Sequence, residues 1–188
     1  GFLFLPILMV ISSSFWWYAE LMQWVSSILP EDKSSMDSLV RLMSGGFVTV
    51  VAICVIAPFL EEMLFRGLFL RSFLNRYTPS ASILYSSVLF SLFHLNIYQI
   101  PSAFILGCFI GWIYYVSRSL WPCILAHALN NGGAYLMYMY WPIEGDKQIG
   151  AIGLSLLISA LGVFLVCKIY AIKIPVLKKN VMDETHPH

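Results

Sequence analysis

Residues 45–73 read GGFVTVVAICVIAPFLEEMLFRGLFLRSF, and the charges inside this stretch decide how the chain is read. Glu61, Glu62 and Arg66 interrupt a run that is otherwise compatible with hydrocarbon. An ionisable side chain near the middle of a bilayer costs roughly 2.5–3.5 kcal/mol on insertion scales. Such groups persist where they are paired, where they face water in a cavity, or where they do chemistry. The stretch predicts a polar site buried inside a membrane protein.

Composition points the same way. Of 188 residues, 59% are hydrophobic and 11% charged, and mean hydropathy is +0.78. Soluble domains carry roughly 25% charged residues, so this chain has too few charges to cover a water-exposed surface. A net charge of +1 argues against nucleic acid as a partner. The chain begins at Gly1, not Met, and reads as a fragment or processed product. Its first apolar run lacks the basic region and small-x-small cleavage site of a signal peptide. Cys54, Cys108, Cys123 and Cys167 all lie in apolar segments without a CxxC pair. They read as small hydrophobes and say nothing of redox compartment.

A spanning helix needs roughly 20 apolar residues. Six such segments are expected: about 2–29, 36–57 continuing to 76, 79–97, 101–117, 119–140 and 149–172. Turn residues separate them at Pro30, Thr78-Pro79, Pro101 and 142–150. The fold class is all-α, a polytopic transmembrane bundle with a kinked helix at Pro58 and a buried polar cavity. Pro58 removes a backbone hydrogen bond, so a kink or break is expected there. The backbone groups it frees need protein or water around them. A single transmembrane domain covers 1–176, with its working core at about 45–135, and 177–188 reads as a flexible polar tail.

Charge asymmetry predicts orientation. Arg71, Arg76, Arg118, Lys168, Lys173, Lys178 and Lys179 fall on one side, and Lys33, Arg41 and Lys147 on the other. The positive-inside rule puts the first set, and the tail, in the cytoplasm. Trp112, Tyr114, Tyr115, Trp121, Tyr138, Tyr140 and Trp141 read as an aromatic belt, and Glu20 as interfacial. Gly107 and Gly111 form a GxxxG helix-packing pattern. The tail lysines suit lipid headgroups, and His186 and His188 read as solvated.

The remaining polar residues converge in depth. Glu61 lies fifteen residues before Arg76 and His94 fifteen after Pro79, so both sit roughly 22 Å from the cytoplasmic ends. His127 and Asn131 lie about 12 and 18 Å in by the same rise. Glu62 and Arg66 are i,i+4 neighbours and can pair on one helix face. Glu61 points about 100° away and is free to work. His127 and Asn131 are also i,i+4 and project together, whereas Asn130 reads as a packing residue. These groups suit hydrolysis: a desolvated carboxylate paired with His94 can deprotonate water, and His127 and Asn131 can donate to an oxyanion. GxSG, HExxH and GxGD motifs are absent from the sequence. Cys123 and His127 form only a weak thiol–base pattern. Glu61, His94 and His127 are also a ligand set that suits Zn²⁺.

Glu61-Glu62-x-x-x-Arg66, Phe90-x-x-x-His94 and His127-x-x-x-Asn131, in this order and all inside helices, resemble the CAAX-protease and bacteriocin-processing (CPBP) family. This is the Abi or Rce1-type group of intramembrane endopeptidases. The resemblance covers about 45–135, and the phrase from Gly111 to Tyr115 and on through Ser119–Pro122 is similar in position. It implies a multi-helix membrane fold and metal-free, glutamate-type hydrolysis of a membrane-associated peptide or protein. By the same analogy Glu61 and His94 activate water, His127 and Asn131 form the oxyanion hole, and no cofactor is needed. A zinc enzyme is the alternative. Two other functions are carried beside it: a bacteriocin-immunity or partner-binding membrane protein, and a proton-coupled transporter. A bacterial cytoplasmic membrane is the expected location; the sequence does not address oligomeric state.

Overall fold

The computed structural model describes residues 4–29, 33–140 and 155–169. Among them there is no strand. The helices are α1 (Phe4–Ile28), α2 (Lys33–Met43), α3 (Gly46–Leu74), α4 (Pro79–Phe93), α5 (Ile100–Ser117), α6 (Leu120–Tyr140) and α7 (Ser155–Ile169). The turn at 142–150, Lys147, Lys173, Lys178, Lys179, His186, His188 and the tail lie outside the described residues, as do the side chains of Glu20 and Tyr138.

The long 36–76 stretch divides at Gly45-Gly46, where Gly46 takes φ +74°, a value that costs glycine nothing. The short α2 is thereby separated from α3. Helix α3 is not interrupted at Pro58. Ile56 and Ala57 keep helical φ/ψ of −70/−49° and −60/−51°. The helix instead widens: residues 52–56 are π-helical, and Ala57 N–H donates to Ala52 O. A wide turn gives the pyrrolidine ring room beside the preceding carbonyls. A second π-helical stretch covers Met63–Leu70.

Helices α3 and α5 are long and apolar enough to cross a bilayer; α4, α7 and residues 4–14 of α1 are shorter apolar helices. Helix α4 rises roughly 22 Å, against a hydrocarbon core of about 30 Å. The outer face of α3 exposes Val55, Ile56, Phe59, Leu60, Met63 and Leu68, while Glu62 and Arg66 are 0% exposed. Apolar outside and charged inside is the pattern a lipid-facing helix requires. Trp121 and Tyr140 are exposed as a belt would be, but Tyr114 is buried in the core with Ile7, Ile11, Leu70, Ile110, Ile113, Cys123 and Ala126.

Small residues bring α4 and α5 together. Ser82, Ser86, Ser87 and Ser91 are buried on α4, opposite Ser102, Ala103, Gly107 and Gly111. A Cβ on Gly107 would stand 3.1 Å from Ser87 Cβ and 3.2 Å from Phe90 Cδ1; on Gly111, 3.1 Å from Ile83 Cγ2. The GxxxG pattern is therefore a close-packing face. Helix α7 meets α1 in the same way, with Gly162 against Pro6, Met9 and Val10 and a 2.7 Å hydroxyl pair between Ser13 and Ser159. Thr78 starts α4 by accepting from Ala81 N–H at 3.4 Å, with Pro79 in the first turn.

Gly107→Leu is expected to push α4 from α5 and lower stability by about 1–3 kcal/mol. Thermal unfolding of the purified protein in detergent measures this; an unchanged midpoint would contradict the packing described.

Candidate active site

Glu61 and Glu62 end a short α-helical stretch, Ala57–Glu62, that lies between the two π-helical stretches of α3. Adjacent side chains diverge by roughly 100°. Glu62 turns inward and is fully buried, while the side chain of Glu61 is 21% exposed.

Arg66 lies one turn beyond Glu62. Its Nη1 donates to Glu62 Oε1 at 3.0 Å, both side chains 0% exposed. Its Nη2 donates to the carbonyl of Gly107 at 3.0 Å. The guanidinium carbon stands 4.7 Å over the Phe90 ring, a cation–π contact. The absence of a Cβ at Gly107 brings the α5 backbone close enough for this bond. Ser86 Oγ donates to Phe65 O at 3.0 Å, so a carbonyl of the second wide stretch also finds its donor on α4.

His127 of α6 completes a buried chain. Its Nδ1 lies 2.8 Å from Glu62 Oε1. A carboxylate facing Arg66 accepts, so Nδ1 carries the hydrogen. The other nitrogen, Nε2, lies 3.8 Å from Glu61 Oε2. That oxygen is itself buried and has no hydrogen-bond partner, which is uncommon for a buried polar atom. The four groups run in series as Arg66, Glu62, His127, Glu61.

His94 stands apart from this chain. It follows α4, and its Nδ1 lies 3.0 Å from Phe90 O. A carbonyl only accepts, so Nδ1 holds the hydrogen and Nε2 is left as an acceptor. Neither a hydrogen bond nor an ion pair joins His94 to Glu61. The Phe90 ring mediates between the histidines, with centroids 5.0 Å from His94 and 5.4 Å from His127, edge to face with both. His94 also lines a cleft of about 250 Å³ with Ser34, Ser38, Leu42, Leu95, Asn96 and Gln99. Leu95 turns the chain there at φ +50°. A left-handed non-glycine residue is strained, and such strain collects at functional sites.

Asn131 Nδ2 donates to Ile53 O at 2.8 Å, and Asn130 Nδ2 donates to Asn131 Oδ1 at 3.4 Å. The alternative zinc ligands Glu61, His94 and His127 do not converge: among the described residues no three His, Cys, Asp or Glu side chains form a metal-ligating group. Cys123 directs its thiol to the carbonyls of Ser119 and Ile110, at 3.4 and 3.7 Å, and not to His127. Two contributors escaped the motif reading, the ring of Phe90 and the backbone carbonyl of Gly107. The F-x-x-x-H and GxxxG spacings held both residues, but gave no sign that Arg66 would bind them.

Arg66→Met leaves Glu62 buried without its cation and is expected to cost about 3–5 kcal/mol. Adding Glu62→Leu should recover part of that loss. Denaturant unfolding of the single and double variants in detergent measures both, and a double variant less stable than Arg66→Met would contradict the pairing.

The family model described as type II CAAX prenyl endopeptidase Rce1-like matches residues 43–133. That segment runs from the last residue of α2 past Asn131 and contains every residue of the Arg66–Glu62–His127–Glu61 series. No curated protein and no solved structure matches the chain. Residues 43–133, just under half of the chain, are thus similar to the Rce1-like type II CAAX prenyl endopeptidases, in agreement with the resemblance carried by the three motifs.

Proposed function

We propose that this protein is a multi-pass intramembrane endopeptidase that cleaves a membrane-associated peptide or protein by a glutamate-activated water. The observation that carries the reading is the placement of Glu61: it is 21% exposed where Glu62 is 0%, it stands outside the Arg66 pair, and its Oε2, like Glu62 Oε2 without a hydrogen-bond partner, lies 3.8 Å from His127 Nε2. A carboxylate so placed accepts a proton from a water lying beside it. Glu62 and Arg66 support the reading differently: each holds its neighbour, which fits a positioning role.

In this proposal Glu61 takes a proton from water as the water oxygen attacks the scissile carbonyl carbon. The carbonyl π bond opens to a tetrahedral oxyanion. In this proposal His127 carries hydrogen on both ring nitrogens, and its Nε2–H and the Asn131 N–H not donated to Ile53 are assigned to that oxyanion. The carbon–nitrogen bond then breaks as the proton passes to the leaving amine. His94, with Nε2 free to accept, is assigned as the second group that orients the water, and the cleft it shares with α2 and the 95–99 turn as part of the path for the peptide. No metal takes part in these steps. The proposed location is a bacterial cytoplasmic membrane, with the 71–76 and 118 ends of the helices on the cytoplasmic side.

Glu61→Gln is expected to lower kcat by about 10²–10⁴-fold without loss of thermal stability. His94→Ala and His127→Phe should lower it comparably. The assay is cleavage of a membrane-peptide library by purified protein in detergent, with and without a strong chelator. Full activity in Glu61→Gln would overturn the reading. Activity lost to chelator and restored by Zn²⁺ would replace the metal-free mechanism.

A further inference from the structure

Helix α3 carries a defect that its own sequence cannot repair. In the wide turn before Pro58 the hydrogen-bond ladder runs from residue i+5 to residue i, as Ala57 N–H to Ala52 O shows. The next rung would run from Pro58 N–H to Ile53 O, and proline has no N–H. Pro58 is fully buried, so the carbonyl beside it needs a protein donor. The donor is Asn131, whose Nδ2 reaches Ile53 O at 2.8 Å from 78 residues away in sequence. A carbonyl only accepts, which fixes the nitrogen of the amide on that side. Asn130 donates to the opposite atom, Asn131 Oδ1, and fixes the same orientation.

We infer that Asn131 is a positioning residue whose amide takes the place of the N–H missing at Pro58, and so locks the wide turn of α3 onto α6. His127 and Asn131 lie one helical turn apart on α6 and hold α3 at two points, the glutamate pair and Ile53. Neither contact alone sets both the height and the rotation of Glu61. Together they do, because a helix held at two places along its length can neither slide nor turn. The bond also fixes the plane of the amide and hence the direction of its second N–H, the one assigned above to the oxyanion. That last consequence rests on the peptidase reading; the lock itself does not.

The test is a double-mutant cycle on the full chain in detergent. Pro58→Ala supplies an N–H at position 58 and makes the Asn131 donor redundant. Asn131→Leu should therefore lower the unfolding temperature at least about twice as far in the wild-type background as in the Pro58→Ala background, a coupling that independent sites do not show. Equal drops in the two backgrounds would overturn the lock. Because Asn131→Leu can fail to fold, the bond is also read in the wild type. With isoleucine carbonyls labelled with carbon-13 and asparagine side chains with nitrogen-15, a through-bond NMR correlation should link the Asn131 amide to the Ile53 carbonyl. Ile53-Cys54 is the single Ile-Cys pair in the sequence, so a cysteine nitrogen-15 label assigns that carbonyl. Absence of the correlation overturns the proposal. Where cleavage is measurable, Pro58→Ala should restore part of the kcat lost in Asn131→Leu while leaving KM unchanged. Stability coupling with no effect of Asn131→Leu on kcat would keep the lock and remove Asn131 from the catalytic assignment.

Discussion

The guanidinium of Arg66 is the group on which the rest of the arrangement depends. It is fully buried among apolar helices, where water cannot satisfy it. Every contact it makes is therefore a constraint on a neighbour. Glu62 supplies the counter-charge, Gly107 a backbone oxygen, and Phe90 an aromatic face. These three partners lie on α3, α5 and α4. The Glu62 pair lies within α3; the ties between helices are the Gly107 bond to α5, whose loss would strand a buried donor, and the Phe90 face on α4, whose loss would remove the cation–π contact.

Glu62 passes the constraint on to α6. The oxygen that pairs with Arg66 also accepts from His127 Nδ1, and this sets the orientation of the ring and places a hydrogen on Nδ1. The second nitrogen is thereby aimed at Glu61. Two adjacent glutamates differ in environment because a helix rotates about 100° per residue. One falls toward Arg66 and commits its Oε1 to Arg66 and His127; the other falls toward the edge of the bundle, 21% exposed and outside the Arg66 pair, and each keeps one buried oxygen without a partner. The division follows from helical geometry and burial, with no difference in residue type.

Close approach of backbones makes the short distances possible. Serines and glycines line the α4–α5 seam, and their hydroxyls return to main-chain carbonyls instead of standing unpaired: Ser87 to Ile83, Ser91 to Val88, and Ser86 across to Phe65. Larger residues at Gly107 or Ser87 would move Phe90 and the Gly107 carbonyl away from Arg66 together. The irregular turns of α3 follow the same rule, since each of the two wide stretches has a carbonyl satisfied by a side chain of another helix.

Much of this was legible in the sequence. Low charge and high hydropathy dictated helices in a membrane, because apolar surface in such excess has no other solvent. The i,i+4 spacing of Glu62 and Arg66 dictated a pair on one helix face, since the α-helical repeat alone brings those positions together. The family match over 43–133 agrees with the resemblance carried by the three motifs. The sequence also showed that Pro58 must free a backbone group, but not that the helix would widen and continue, nor that Asn131 would supply the donor. It placed the division of the long 36–76 stretch at the proline, whereas Gly46, able to adopt φ +74°, takes it. Depth counted along helices put His94 level with Glu61. Only the packing of α4 decided that Phe90 would stand between the two histidines and that His94 would turn toward α2. Local periodicity fixes which residues share a face; which faces meet depends on contacts between residues far apart in the chain, and those exist only once the helices have packed.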